Sequence, residues 1–358
     1  MLSVPWVGYL LALSVSAALA LYLTPVAMRV AVSQGLLDHP GGHKGHATPT
    51  PYLGGLAMVA GFVGAVGAAT LIAPPASGLL QLAAILGAAL VLATVGLADD
   101  IRGLSVAVRF AAQLAGGIAL YSVGISVNLF PLEAANLVVT LVWVVGITNA
   151  MNLLDNMDGL SAGIATIAAL WFGIIAAVNG QVLVASLAFA LAGCAVGFLR
   201  HNRAPAKVYM GDAGSLFLGF VLAAIGIKLE FTTDPVIASL IPILVLTVPV
   251  MDTTLVVVER LRHGLPPLRG GRDHLSHRLV RLGLPVGVAV GAIAGLGLIH
   301  GWMALLLSRV DLVSALIGAG LVLAVDAVLF ALLATVPVYA SSNGRDYVIG
   351  ERRPDDPG

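Results

Sequence analysis

The chain has one cysteine, little charge and few aromatics, and these shortages remove whole classes of protein. Cys194 cannot form a disulfide within the chain, so a disulfide-stapled scaffold is excluded. Lys and Arg number 18, and so do Asp and Glu, which leaves no net charge to grip a nucleic-acid backbone. Charged residues are only 10% of the 358, against about a quarter in soluble domains. The polar, charge-rich tracts that keep a chain disordered are missing too. Hydrocarbon is abundant instead: 59% of residues are hydrophobic and the mean hydropathy is +1.01. A polytopic membrane protein remains.

A membrane-crossing helix needs about 20 mostly apolar residues. Such runs predict an all-α protein of about eleven spans, at 4–28, 53–73, 78–98, 105–125, 134–152, 160–178, 182–199, 214–229, 236–257, 284–307 and 312–338. They form a single domain over 1–340, followed by a polar tail, 341–358, expected to lack structure. Pro74-Pro75, Asn179-Gly180 and Asp234-Pro235 supply turn chemistry between spans. The first run has the small residues of a signal-peptide cleavage region, but it lacks a basic start and runs long, so it reads as a retained span.

Alternating the loops puts sixteen of the 18 bases on one side and only Lys228 and Arg309 on the other. Basic loops stay in the cytoplasm. The N-terminus is therefore expected outside and the C-terminus inside, with cytoplasmic loops near 29–52, 99–104, 153–159, 200–213 and 258–283. Thirteen of the 18 carboxylates and seven of the eight His fall on that same side. Topology rules explain only the bases, because acids contribute little to orientation. A cytoplasmic-face site for an anionic, metal-bound substrate explains all three.

Five segments carry that chemistry. Asp99-Asp100-Ile101-Arg102 closes the third span. Neighbouring helical residues point about 100° apart, so one carboxylate is expected in the site and the other on Arg102 or a neighbouring helix. Further on, Asn149, Asn152, Asp155 and Asp158 recur every three residues. A continuous helix would fan them out by about 60° per step, so the helix should end within the run, with Gly159 as its stop. Two Asn and two Asp at a membrane boundary are costly to bury without partners.

Tyr209-Met210-Gly211-Asp212-Ala213-Gly214-Ser215 stands immediately before the eighth span. Its amides and positive dipole end suit a phosphate. Asp212 then calls for a bridging cation, and Mg²⁺ fits because it takes one or two carboxylates alongside substrate phosphates. A plain helix cap is the alternative. The loop from Glu259 to Leu284 gathers Arg260, Arg262, His263, Arg269, Arg272, His274, His277, Arg278 and Arg281. That set suits an anionic substrate held by Arg forks and His donors better than a zinc site without cysteine or a basic membrane-surface patch. Asp38-His39-Pro40, Lys44, His46 and Pro49 to Gly55 make an extended entry to the second span. His300 and Asp326, inside the last two spans, read as a buried, satisfied pair.

In this order, the segments resemble the motifs of the polyprenyl-phosphate N-acetylhexosamine-1-phosphate transferases, a superfamily that includes the phospho-N-acetylmuramoyl-pentapeptide translocases. Asn149 to Gly159 matches N-x-x-N-x-x-D-x-x-D-G in full, and Met210 to Ser215 matches M-G-D-x-G-S in full. D-D-x-x-x-L appears from Asp99 to Leu104, with Arg109 where a Lys is usual, and His43 stands where an Arg is usual. Pro249 to Thr253 and His274 to Leu279 resemble the distal motif, with Ser276 replacing a frequent His. The distal loop and the span count are similar to the branch that transfers N-acetylglucosamine-1-phosphate.

The resemblance implies a phosphotransferase that turns a UDP-N-acetylhexosamine and polyprenyl (undecaprenyl) phosphate into polyprenyl-diphosphate-sugar and UMP. It implies Mg²⁺, or Mn²⁺ in its place, and a bacterial cytoplasmic membrane; nucleic acid has no part, and a homodimer is left open. It implies catalytic roles for Asp99, Asp100, Asp155, Asp158 and Asp212, and metal ligation by Asp212 and Asn152. Substrate binding is implied for Lys44, His46, Arg109, Asn149, Asp155, Asp158, Gly211, His274, His277 and Arg278. Asp99, often assigned a base role in such enzymes, is expected to orient the nucleophile. A phosphate monoester with a second pKa near ~6 is already largely dianionic. The competing readings are a muramoyl-pentapeptide donor, a transporter or flippase with ionisable groups at mid-membrane, and a non-catalytic scaffold.

Overall fold

A computed structural model describes residues 4–38, 49–231, 235–267, 271–342 and 345–349. The chain runs α1 (Val4–Ser33), β1 (Leu37–Asp38), β2 (Thr50–Pro51), α2 (Gly54–Ile72), α3 (Leu79–Arg102), α4 (Val106–Ser122), α5 (Glu133–Leu154), α6 (Leu160–Val178) and α7 (Val182–Asn202). It continues with α8 (Gly211–Lys228), α9 (Pro235–Val245), α10 (Thr247–Arg262), α11 (Leu275–Arg281), α12 (Val286–Leu307), α13 (Leu312–Ala334), β3 (Tyr339–Ser342) and β4 (Arg345–Val348). Both strand pairs are antiparallel, with Leu37 opposite Pro51 and Tyr339 opposite Val348. Nine helices among the described residues are long and apolar enough to cross a membrane. The protein is all-α and polytopic, as expected.

The expected ninth span, 236–257, is not one rod. It divides into α9 and α10, which meet at 74°. Pro249 has no amide to bond the Val245 carbonyl, and its ring crowds that same oxygen, so the helix breaks one turn before it. The fourth span is also shorter than expected, at 17 residues.

Helix α8 lies at the centre of the bundle, wrapped by α2, α3, α5, α6 and α7; Phe217, Leu218, Phe220 and Leu222 on it are fully buried. Lipid offers no hydrophobic drive for helices to associate, so close packing has to hold them. Gly96 shows how close: a Cβ there would sit 2.3 Å from the Asp212 carbonyl oxygen. Only glycine lets α3 approach the start of α8 this nearly, and Asp99 and Asp100 follow one turn later. The outlying helices α12 and α13 carry the expected buried pair, with His300 Nε2 3.0 Å from both carboxylate oxygens of Asp326.

The two ends of the bundle differ in chemistry. At one end the Lys228 ammonium donates to Gln81 Oε1 at 2.5 Å, and Gln81 Nε2 donates to the Val123 carbonyl at 3.1 Å. At the other end the tails of α3, α5, α7 and α10 meet the starts of α4 and α8. Helix α13 also ends there, because Arg278 of α11 donates to the Leu333 carbonyl. The tail read as unstructured from 341 instead opens with the β3–β4 hairpin, anchored by the buried Val338 and Val348.

Candidate active site

The site is built where four helix ends converge. Arg109, in the first turn of α4, places one nitrogen between two carboxylates. Its Nη1 donates to Asp99 Oδ2 at 2.7 Å and to Asp212 Oδ2 at 2.8 Å. Asp99 also accepts the Leu104 amide, so both its oxygens are engaged. From the end of α5, Asn152 Nδ2 donates to Asp212 Oδ1 and to Ser215 Oγ, each at 2.8 Å. Asp212 thus receives Arg109 on one oxygen and Asn152 on the other.

Several expected residues meet backbone rather than open space. Asp100 accepts the amides of Asp212 at 2.8 Å and Ala213 at 3.2 Å. The α8 N-terminus, read as a phosphate cradle, is therefore already filled by a carboxylate of this chain. In this arrangement Asp100 completes the helix end and so fixes Asp212. Gly211 belongs to the same contact; its φ is +66°, and a Cβ would lie 2.4 Å from Asp100 Oδ2. Asp158 is likewise engaged, its Oδ2 accepting the Ala206 amide at 2.8 Å and holding the loop after α7.

Asn149, expected on substrate, instead exchanges hydrogen bonds with Gln113 of α4 and donates to the Val145 carbonyl at 2.8 Å. Gln113 was not foreseen, although it lies four residues after Arg109 and so on the same helix face. The helix α5 stops at Leu154 rather than at Gly159, which with φ +74° instead starts α6. This earlier stop frees Asp155 from the helix. Burial pushes its carboxyl up to about 7, and the charges of Asp212, Asp100 and Asp158 add to the rise.

The distal loop docks onto this end. His274, at the start of α11, is buried with Nδ1 2.8 Å from Asp252 Oδ2. A carboxylate only accepts, so Nδ1 carries the proton and Nε2 remains for another partner. The Leu275 amide bonds the other Asp252 oxygen at 2.7 Å. Ser276 Oγ donates to Asn156 Oδ1 at 2.7 Å, which ties α11 to the turn bearing Asp155. Burial, with the neighbouring His274 charge, depresses His277 to about 4, so its ring is neutral at neutral pH.

Arg278 departs furthest from expectation. Its side chain is fully buried, donating to the carbonyls of Asp273, Leu333, Ala334 and Val336. That corrects its assignment to the diphosphate: it closes the end of α13. The loop also contains an unforeseen buried pair, Arg260 with Asp273, joined by two bonds of 2.7 Å. Lys44 and His46 lie outside the described residues.

One guanidinium, Arg109, joins Asp99 and Asp212, while Asp100, Asp155 and Asp158 add further carboxylates close by, so the centre suits a cation. Among the described residues no three His, Cys, Asp or Glu side chains converge as a complete metal cage. The donor set of Asp212 with the Asn152 carbonyl oxygen fits a hard dication that shares its shell with phosphates and water. Beside the centre opens a groove of about 380 Å³, lined by Arg109, Asn149 and Asn152 and by apolar Val106, Phe110, Leu153 and Leu216. A larger cavity, about 1150 Å³, lies at the opposite end between α5, α8 and α9 and holds none of the motif residues.

The model of the family described as glycosyl transferase family 4 matches residues 82–230, which run from within α3 to just past α8 and include the whole Arg109 centre. A probable undecaprenyl-phosphate N-acetylglucosaminyl 1-phosphate transferase of Bacillus subtilis is 33% identical over 316 residues, covering 86% of this chain and 87% of the relative. The chain belongs to glycosyl transferase family 4. Within that family, a decaprenyl-phosphate N-acetylglucosaminephosphotransferase of Mycobacterium tuberculosis is 34% identical over 75% of each chain. A phospho-N-acetylmuramoyl-pentapeptide-transferase of Streptococcus pyogenes is 39% identical, but over only 43% of this chain. The Bacillus and Mycobacterium relatives, which span three quarters or more of this chain, carry N-acetylglucosamine names.

Proposed function

We propose that the chain transfers N-acetylglucosamine-1-phosphate from UDP-N-acetylglucosamine to a polyprenyl phosphate such as undecaprenyl phosphate, the first membrane step of a bacterial cell-envelope polysaccharide. A lipid-phosphate oxygen attacks the sugar-bearing phosphorus of the donor. The bond from that phosphorus to the bridging oxygen breaks, and UMP leaves with the oxygen. Arg109 held between Asp99 and Asp212 carries this reading, because it sets a cation and two carboxylates at one reacting point. Phosphoryl transfer asks mainly for in-line positioning and charge neutralisation.

The chain's own groups divide the work. Arg109 offers its remaining N–H donors to incoming phosphate oxygens, while Asp99 holds and aims the guanidinium rather than taking a proton. Asp212 and Asn152 would hold Mg²⁺, with Mn²⁺ as a substitute, and the ion would supply charge neutralisation to a bound diphosphate. The groove beside Arg109 has apolar walls and a cationic floor, which suits a phosphate arriving on a lipid. His274, His277 and the Asp155 turn receive the nucleotide-sugar. The site faces the cytoplasm of a bacterial inner membrane, where the basic loops lie.

The test is UMP release by the detergent-purified protein from UDP-GlcNAc, UDP-GalNAc and UDP-MurNAc-pentapeptide. Turnover with UDP-GlcNAc that needs both undecaprenyl phosphate and Mg²⁺ is expected. Preference for the muramoyl-pentapeptide donor reassigns the sugar, and no turnover with any donor overturns the reading.

A further inference from the structure

The C-terminal hairpin is tied to the distal loop by bonds that the proposed chemistry does not use. The Tyr339 hydroxyl donates to Asp273 Oδ2 at 2.8 Å, the oxygen that also receives Arg260 Nε. The Tyr339 ring stacks on His263 with centroids 4.2 Å apart, and the Arg278 guanidinium carbon lies 6.0 Å from the Tyr339 ring centroid. Arg281 grips the segment from outside, through the Pro337 carbonyl at 3.1 Å and the Ile349 carbonyl at 2.7 Å.

The bonds of Arg260, Tyr339 and Arg278 converge on Asp273. Its side chain takes Arg260 from α10 and Tyr339 from β3, while its carbonyl takes Arg278 Nε from α11 at 2.9 Å. Burial alone would raise this carboxyl, but Arg260 prevails and holds it below the usual carboxylate range. The next residue is His274. From there the chain is pinned again, to Asp252 by His274 and to Asn156 by Ser276. The first turn of α11 is therefore suspended between the hairpin on one side and the Asp155 turn on the other.

We propose that the β3–β4 hairpin is a working part of the donor-substrate site, with Tyr339 as a positioning residue that acts through Asp273 on His274 and His277. This rests on the reading of that loop as the nucleotide-sugar contact. Tyr339 touches no reacting group. It holds Asp273 in one place so that the two imidazoles present one geometry to a sugar diphosphate. Neutral His277 depends on this most, since a hydrogen bond is directional where a charge is not.

The experiment uses the full-length protein in detergent and the variants Tyr339→Phe and Arg281→Ala. The first removes one hydroxyl that bonds a carboxylate; the second releases the hairpin without touching Asp273. Both should raise KM for UDP-GlcNAc, by about tenfold for Tyr339→Phe given the usual strength of a bond to a charged group. KM for undecaprenyl phosphate should hold. Hydrogen exchange supplies a readout independent of turnover, in which the amides of residues 273–281 should exchange faster in both variants. Unchanged exchange there, or a KM rise shared equally by donor and lipid, overturns the positioning role. Should the wild type turn over no UDP-sugar while exchange still rises in the variants, the hairpin's bracing stands and the proposed function falls.

Discussion

Arg109 and Asp212 are 103 residues apart in sequence, yet the guanidinium Nη1 lies 2.8 Å from Asp212 Oδ2 and 2.7 Å from Asp99 Oδ2. One cation joins the end of α3 to the start of α8. Replacing Arg109 with Ala leaves the two carboxylates opposed and takes away the donor that would meet a phosphate. UMP release should fall about 10²-fold or more, the scale of one lost preorganised donor. Arg109→Lys keeps the charge without the fork, and should fall less.

Asp100 and Asp212 should separate when stability and rate are measured together. Asp100→Ala exposes two amides at the α8 N-terminus and should cost about 0.5–2 kcal/mol, as lost helix caps do, lowering the melting temperature. Asp212→Asn should lose nearly all turnover at an unchanged melting temperature. Equal melting temperatures for both variants would contradict the capping role.

Metal dependence offers a third check. Asn152→Ala should raise the Mg²⁺ concentration needed for half-maximal UMP release, because it removes a neutral ligand and the donor that orients Asp212. Asn149→Ala should leave that concentration alone, since Asn149 is bonded to Gln113 rather than to Asp212. A metal titration of each variant's initial rate distinguishes them.

His277 gives the pH dependence. Its pKa is depressed to about 4 in the fold, against about 6.5 in an unfolded chain. Below pH 6.5 the unfolded state binds a proton that the folded state refuses, so stability falls as the pH drops from 6.5 towards 4. His277→Gln should flatten the fall in melting temperature across that window. The same group should add no step to the rate profile near 6.5.

Gly96→Ala tests the packing that makes the site. The added Cβ meets backbone, at 2.3 Å from the Asp212 carbonyl oxygen, and overpacking of this kind typically costs about 1–3 kcal/mol. Both the melting temperature and turnover should drop. Preserved turnover would show that α3 can stand further from α8 than the site geometry implies.

Much of this was legible in the chain because the membrane makes polar residues expensive. Asp99, Asn152, Asp155 and Asp212 could be singled out where they stand among apolar runs, and they do gather at one end of the bundle. The distal loop was legible as a cluster, but its division of labour was not. Arg278 and His274 look alike as basic residues near one another, yet one closes a helix end and the other faces Asp252. Gln113 and Tyr339 carried no such signal, since an isolated Gln or Tyr beside an apolar run has many ordinary uses.

The sequence by itself determined that the chain lives in a membrane, how its spans are spaced and which polar segments stand out, because lipid penalises every charge and unpaired amide that lacks a reason. Only the tertiary structure decided which carboxylate does what. Asp99 and Asp100 are adjacent and chemically identical, but about 100° of helical rotation sends one to Arg109 and the other to the amides of α8. The approach of α3 to α8 at Gly96 determines that difference, and it depends on residues more than a hundred positions apart.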